Sequence, residues 1–180
     1  MDTFIARMIR AAKLDVSLYE EVEADSTSIG QAMGVVVLSS LAAGIGNWYL
    51  LGFSGLISGT IFALIGWFAW AFMVYFIGVK FLPEPETSSN PGELLRTIGF
   101  SSSPGIIKVL AVIPFLNWIV NLLASIWMLV AMVIAVRQAL DYKSTVRASL
   151  VCFIGWIIYM IIFYILNSIF GVSEDPSQAV

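Results

Sequence analysis

Ala148-Ser149-Leu150-Val151-Cys152-Phe153-Ile154-Gly155-Trp156-Ile157-Ile158-Tyr159-Met160-Ile161-Ile162-Phe163-Tyr164-Ile165-Leu166-Asn167-Ser168-Ile169-Phe170 runs for 23 residues without a charge. A helix needs about 20 apolar residues to cross the hydrocarbon core of a bilayer. The stretch is apolar on all sides, and a short soluble domain has no interior wide enough to cover such a helix. The rest of the chain agrees. Hydrophobic residues make up 59% of its 180 residues and charged residues only 12%, against about 25% charged in an average soluble domain. The pattern is that of an all-α, polytopic transmembrane helical bundle.

Working back from this span, Asp141, Tyr142, Lys143, Ser144, Thr145 and Arg147 form a polar connection. The stretch before it, from Gly99 to Val136, is too long for one span and short for two. Pro114 and Asn117 mark where a turn divides it. The reading is a third span over 94–115, with Ser101-Ser102-Ser103-Pro104-Gly105 inside its first half, and a fourth over 117–138. The alternative is a re-entrant third segment. Pro83-Glu84-Pro85-Glu86-Thr87-Ser88-Ser89-Asn90-Pro91-Gly92 is a loop, because its prolines and polar residues exclude a span. Before it lie a second span over 55–82, a tight turn at Gly52–Ser54 and a first span over 28–51. Ser28 and Gln31 have the spacing of a capping box at the start of the first span.

Residues 1–25 form the first unit, 26–171 the five-span bundle and 172–180 a short acidic tail. From Thr3 to Glu23 the pattern predicts one amphipathic helix. Ile5, Met8, Ile9, Ala12, Val16 and Tyr19 share one face; Arg7, Arg10, Lys13, Ser17, Glu20 and Glu21 share the other. Such a helix lies in the membrane interface or packs on the inner end of the bundle. In a five-span arrangement all nine Lys and Arg fall on one side: Arg7, Arg10, Lys13, Lys80, Arg96, Lys108, Arg137, Lys143 and Arg147. The positive-inside rule then places the N-terminus in the cytoplasm and the C-terminus across the plasma membrane. A four-span arrangement is the alternative.

Net charge is −3 and no His is present. Acidity speaks against a nucleic-acid partner, and lack of His removes His ligation and His general bases. Gly52-Phe53-Ser54-Gly55 looks like the Gly-x-Ser-Gly of rhomboid proteases, but the His base those enzymes need has no counterpart. The spacing of Ser101–Ser103 to Lys108 does not favour a Ser–Lys pair. No catalytic, cofactor or metal residues are expected. Cys152 reads as a small apolar residue. Gly30/Gly34 and Gly55/Gly59 are small-residue packing pairs, with Gly44 and Gly46 expected to receive Gly55 and Gly59 in a hairpin. Lys108, Asn117 and Asn121 are the polar groups at membrane depth. The acidic run Glu20, Glu21, Glu23 and Asp25 is a solvated helix end or a seat for a divalent ion or a basic partner segment.

Leu18-Tyr19-Glu20-Glu21 before the first span, Gly99-Phe100-Ser101 leading to Pro104, and the five-span layout together resemble the Yip family. These are the Ypt/Rab-interacting five-span membrane proteins, and the likeness, over about Leu14 to Leu150, is to their short prokaryotic-type members. Eukaryotic members carry an acidic-Leu-Tyr-Gly-Pro motif and a Gly-Tyr-Ser motif. Here Glu20 and Glu21 stand where Gly-Pro would be, and Phe100 where Tyr would be. The resemblance implies a non-enzymatic scaffold or adaptor that organises membrane and recruits partners, as the eukaryotic members do in vesicle formation and Rab recruitment. Leu18, Tyr19, Glu20, Glu21, Gly99, Phe100, Ser101, Pro104 and Arg147 are the positions it points to. The expected partners are the lipid bilayer and a membrane protein or a second copy of the chain. The other readings are a small transporter or channel component using Lys108, Asn117 and Asn121, or an accessory subunit of a larger membrane complex.

Overall fold

The computed structural model describes residues 3–170, and every element among them is helical. The acidic tail at 172–180 lies outside the described residues. Two short helices, α1 (Phe4–Ala12) and α2 (Val16–Ala24), precede α3 (Ile29–Gly46), α4 (Trp48–Tyr75), α5 (Pro91–Ser101), α6 (Asn117–Ala139) and α7 (Thr145–Phe170). Among the described residues, four helical stretches are long and apolar enough to cross a membrane: Ser26–Gly46, Gly52–Phe81, Pro114–Ala139 and Thr145–Ile162.

The stretch expected as a third span is helical but broken. Its first part, α5, opens with a capping box. Asn90 Oδ1 accepts from the Gly92 and Glu93 amides at 2.9 and 3.1 Å, and Glu93 Oε2 accepts from the Asn90 amide at 2.9 Å. The helix tightens to a 3₁₀ segment, Ser103–Val112. Pro104 causes the change, since it has no N–H to offer the Phe100 carbonyl. Ser103 Oγ donates to that carbonyl instead, at 2.7 Å. The segment runs parallel to α3: Gly99 lies against Ala32, Gly105 against Ser39 and Gly46 against the Lys108 carbonyl. Neighbouring α4 runs the other way, with Ser40 Oγ 3.2 Å from Thr60 Oγ1 and Trp67 Nε1 donating to the Leu95 carbonyl at 2.9 Å.

Several expectations are corrected. The predicted helix from Thr3 to Glu23 is two helices. Leu14 takes φ 63° between them, and Asp15 caps the second by accepting from the Ser17 amide at 3.0 Å. The Ser28–Gln31 capping box does not form, because Ser28 Oγ donates to the Val22 carbonyl and Gln31 receives Arg7. The first span ends at Gly46 rather than Leu51. The chain turns at Asn47, whose side chain donates to the Ala43 carbonyl at 2.8 Å, and Gly52 (φ 58°) kinks α4. The α4 helix loosens into a π turn, Phe76–Phe81, before the proline-rich loop.

The hairpin of α3 and α4 forms, but Gly46 and Gly59 do not meet in it. Gly44 meets Leu56, but Gly46 meets Lys108 and Ala111, while a Cβ on Gly30 or Gly59 would find open space and one on Gly34 would meet only Phe4. Gly55 lines a recess between α3 and α4.

The core sits in the half of the bundle where α3, α5 and α7 begin. Leu18, Tyr19, Val22, Val35, Val74, Leu94, Phe100, Val136, Leu140 and Val151 are fully buried there. Elsewhere large apolar side chains face outward, among them Phe62, Ile65, Phe115, Trp118, Leu122, Leu123, Trp156 and Tyr164. Such a surface suits lipid as solvent.

Candidate functional site: the polar end of the bundle

Charges gather where α3, α5 and α7 start and α4 and α6 finish. Arg7 is almost fully buried. Its Nε and Nη1 donate to Glu21 Oε1 and Gln31 Oε1, both at 3.0 Å, and Nη1 also lies 3.0 Å from Asp25 Oδ2. Arg10 reaches Asp15 at 2.8 Å and the other oxygen of Glu21 at 2.6 Å. Glu21 is therefore held between two guanidinium groups and ties α1 to α2. The Arg10 and Ser17 hydrogen bonds pull the Asp15 carboxyl down to about 2. The Thr27 hydroxyl and Arg7 hold Asp25 below its ordinary value.

This pairing turns α1 over. Arg7, Met8 and Ala11 face the bundle, while Ile5 and Ile9 are 66% and 51% exposed. A helix on a water-soluble domain would bury those isoleucines. The expected apolar face is thus split, with Met8 inward and Ile5 and Ile9 outward.

Arg96, on α5, fastens α2 to the spans. Its Nε donates to the Val22 carbonyl at 2.9 Å and its Nη2 to the Glu23 carbonyl. These are C-terminal carbonyls of α2, which lack partners within the helix. No local signal in the sequence announces this contact. Trp127 Nε1 donates to the Ala12 carbonyl at 2.8 Å, at the end of α1.

Beside Arg96 lies a polar recess of about 590 Å³. Glu20 and Glu23 from α2, Glu86 from the loop, Glu93 from α5 and Asp141 from the α6–α7 connection line it, with Arg137 and Lys143. Burial, then the charges of Asp141 and Glu93, push the Glu23 carboxyl up to about 7. Burial and nearby Glu93 and Glu86 raise Asp141. Glu20 accepts from Gln138 Nε2 at 2.9 Å, and Lys143 Nζ pairs with Glu86 at 2.7 Å. Arg147 donates to the Pro83 carbonyl at 2.9 Å, with Glu84 3.6 Å away. Tyr142 Oη contacts the Gly78 and Leu82 carbonyls at 3.0 and 2.7 Å and so locks the connection onto the π turn.

Of the positions singled out in the sequence, Leu18, Tyr19, Phe100, Ser101 and Pro104 are buried, and Gly99 sits against Ala32. Leu18, Tyr19 and Phe100 pack α2 and α5 into the core. Glu20, Glu21 and Arg147 do reach the polar end. The recess itself was not foreseen, because its carboxylates come from four separate parts of the chain. Only the expectation that Lys108 shares a side with the other basic residues is overturned. Lys108 lies at the far half of the bundle beside Gly46, away from the other basic residues. Asn117 and Asn121 are close by: Asn117 Nδ2 donates to the Ala111 carbonyl at 2.9 Å and lies 3.3 Å from the Gly46 carbonyl, and Asn121 Nδ2 donates to the Asn117 carbonyl at 3.0 Å. They join the turns at that end.

A helical bundle with four membrane-length apolar helices, a lipid-suited surface and one charged end is an integral membrane protein. The chain belongs to the Yip1 domain family, whose pattern matches residues 17–166. That is a family of non-enzymatic membrane proteins. No curated protein and no solved structure matched the chain.

Proposed function

We propose that the chain is a non-enzymatic scaffold or adaptor of the plasma membrane that recruits a protein partner through its polar end. The carrying observation is the recess of about 590 Å³ with five carboxylates against two cations. An anionic recess of that size suits a basic segment of a partner, as charge complementarity steers and selects such contacts. Five spans with a cytoplasmic N-terminus fit this reading. The α5 and 3₁₀ segments add about 16 and 20 Å of rise, and Arg96, Arg137, Lys143 and Arg147 mark the polar end as the cytoplasmic one. The outward Ile5 and Ile9 suit α1 to the interface.

The test is copurification from native membranes in gentle detergent at low and high salt. The wild-type chain is expected to hold a stoichiometric partner that high salt releases and that the E20Q/E93Q/D141N variant loses. A partner held equally by the neutralised variant refutes the recess as the contact. The far half of α7 favours a second reading, an accessory subunit: beyond Gly155, Trp156, Tyr159, Met160, Ile161, Ile162 and Tyr164 face outward. A partner retained in high salt and lost when these are changed supports that reading instead.

A further inference from the structure

Two recesses share a wall of the bundle. One, of about 470 Å³, lies between α3 and α4. The other, of about 900 Å³, lies between α6 and α7. Trp70, Lys108, Met128 and Met132 line both. Among the described residues no Asp or Glu lines either one.

The polar groups at this shared wall are donors left over. Lys108 Nζ makes no hydrogen bond or ion pair with the described residues. The Trp70 indole N–H is buried without an acceptor, whereas Trp67, on the same helix, donates to the Leu95 carbonyl. An ammonium at membrane depth ordinarily faces a partner or a cavity and marks a site. Here an ammonium without an acceptor stands beside a largely apolar recess. An anionic head joined to an apolar tail satisfies both, and the surrounding bilayer supplies such molecules. The recess has the volume of a small-molecule site, which runs from about 300 to 1,000 Å³. It follows α7 from Val146 to Tyr159, roughly 20 Å of helical rise, room for an extended acyl chain.

We propose that the recess between α6 and α7 binds one anionic phospholipid. Its phosphate takes the Lys108 ammonium, and an acyl chain lies along Leu129, Met132, Phe153 and Trp156. This site is separate from the polar end and stands or falls without it.

The test is native mass spectrometry of the detergent-purified chain titrated with phosphatidylglycerol, phosphatidylcholine and inorganic phosphate. One phosphatidylglycerol is expected per chain, bound about tenfold more tightly than phosphatidylcholine, since charge-assisted contacts to phosphate are the strong ones. K108M and K108Q remove that preference, and K108R keeps it. Equal binding of the two lipids overturns the proposal, as does a K108M variant that keeps the preference. Inorganic phosphate binding as tightly as the lipid also overturns it, by showing an anion site without a place for the chain. If K108M does not fold, K108Q decides: loss of the preference in K108Q supports the proposal, and a wild-type preference in K108Q overturns it.

Discussion

Replacing Gly46 by alanine puts a methyl group where the far end of α3 meets the 3₁₀ segment. A Cβ there stands 2.0 Å from the Lys108 carbonyl oxygen and 3.0 Å from the Ala111 Cβ. That is roughly 1.4 Å inside an ordinary van der Waals contact. The neighbour is backbone, so no side chain can swing away, and the two segments must separate. Separation also disturbs Asn117, whose side chain bridges the Ala111 and Gly46 carbonyls. Overpacking usually costs about 1–3 kcal/mol, and a rigid backbone neighbour puts Gly46→Ala at the upper end, about 3 kcal/mol. Gly59→Ala is the control. Gly59 is also helical and a Cβ there would find nothing within 4 Å, so alanine should be neutral or add up to about 1 kcal/mol through helix propensity. Reversible unfolding by a denaturing detergent, followed by tryptophan fluorescence, reads both. Equal effects of the two substitutions would falsify the close approach of α3 to the 3₁₀ segment.

Glu23 makes stability depend on pH. Its folded value of about 7 exceeds its ordinary 4.5, so the folded state holds the proton more tightly. The resulting stability is fully present below about pH 4.5 and is lost as pH rises through about 7. The melting midpoint in detergent should therefore fall between those values, and Glu23→Gln should flatten the fall; an unchanged slope in the variant contradicts the assignment. Tyr142→Phe removes the hydroxyl that meets the Gly78 and Leu82 carbonyls. A buried carbonyl left without its donor costs about 1–3 kcal/mol. The same unfolding assay checks this, and a change indistinguishable from zero counts against the lock on the π turn.

The membrane class was legible in the sequence because it follows from composition and from runs such as 148–170, which no tertiary contact can alter. Pro104 and the serines around it carried only the alternative of a re-entrant third segment, although a missing N–H is a property of the residue itself. The break between α1 and α2 was not legible, because the helical period continues from Thr3 to Glu23. Asp15 competes for the local backbone as a cap, and that competition outweighed the continuing helical period. Leu18, Tyr19 and Phe100 could be singled out by resemblance, but their full burial could not.

By itself, then, the sequence determined the solvent, the helical class, the family and the polar character of one end. These depend on residues taken singly or in short runs. The tertiary structure decided which polar groups meet: Arg96 with the end of α2, Arg7 and Arg10 on one glutamate, five carboxylates around one recess, and Lys108 with no acid beside it. Each of these joins positions distant in the chain, and hydropathy along a sequence has no information about distance across a bundle.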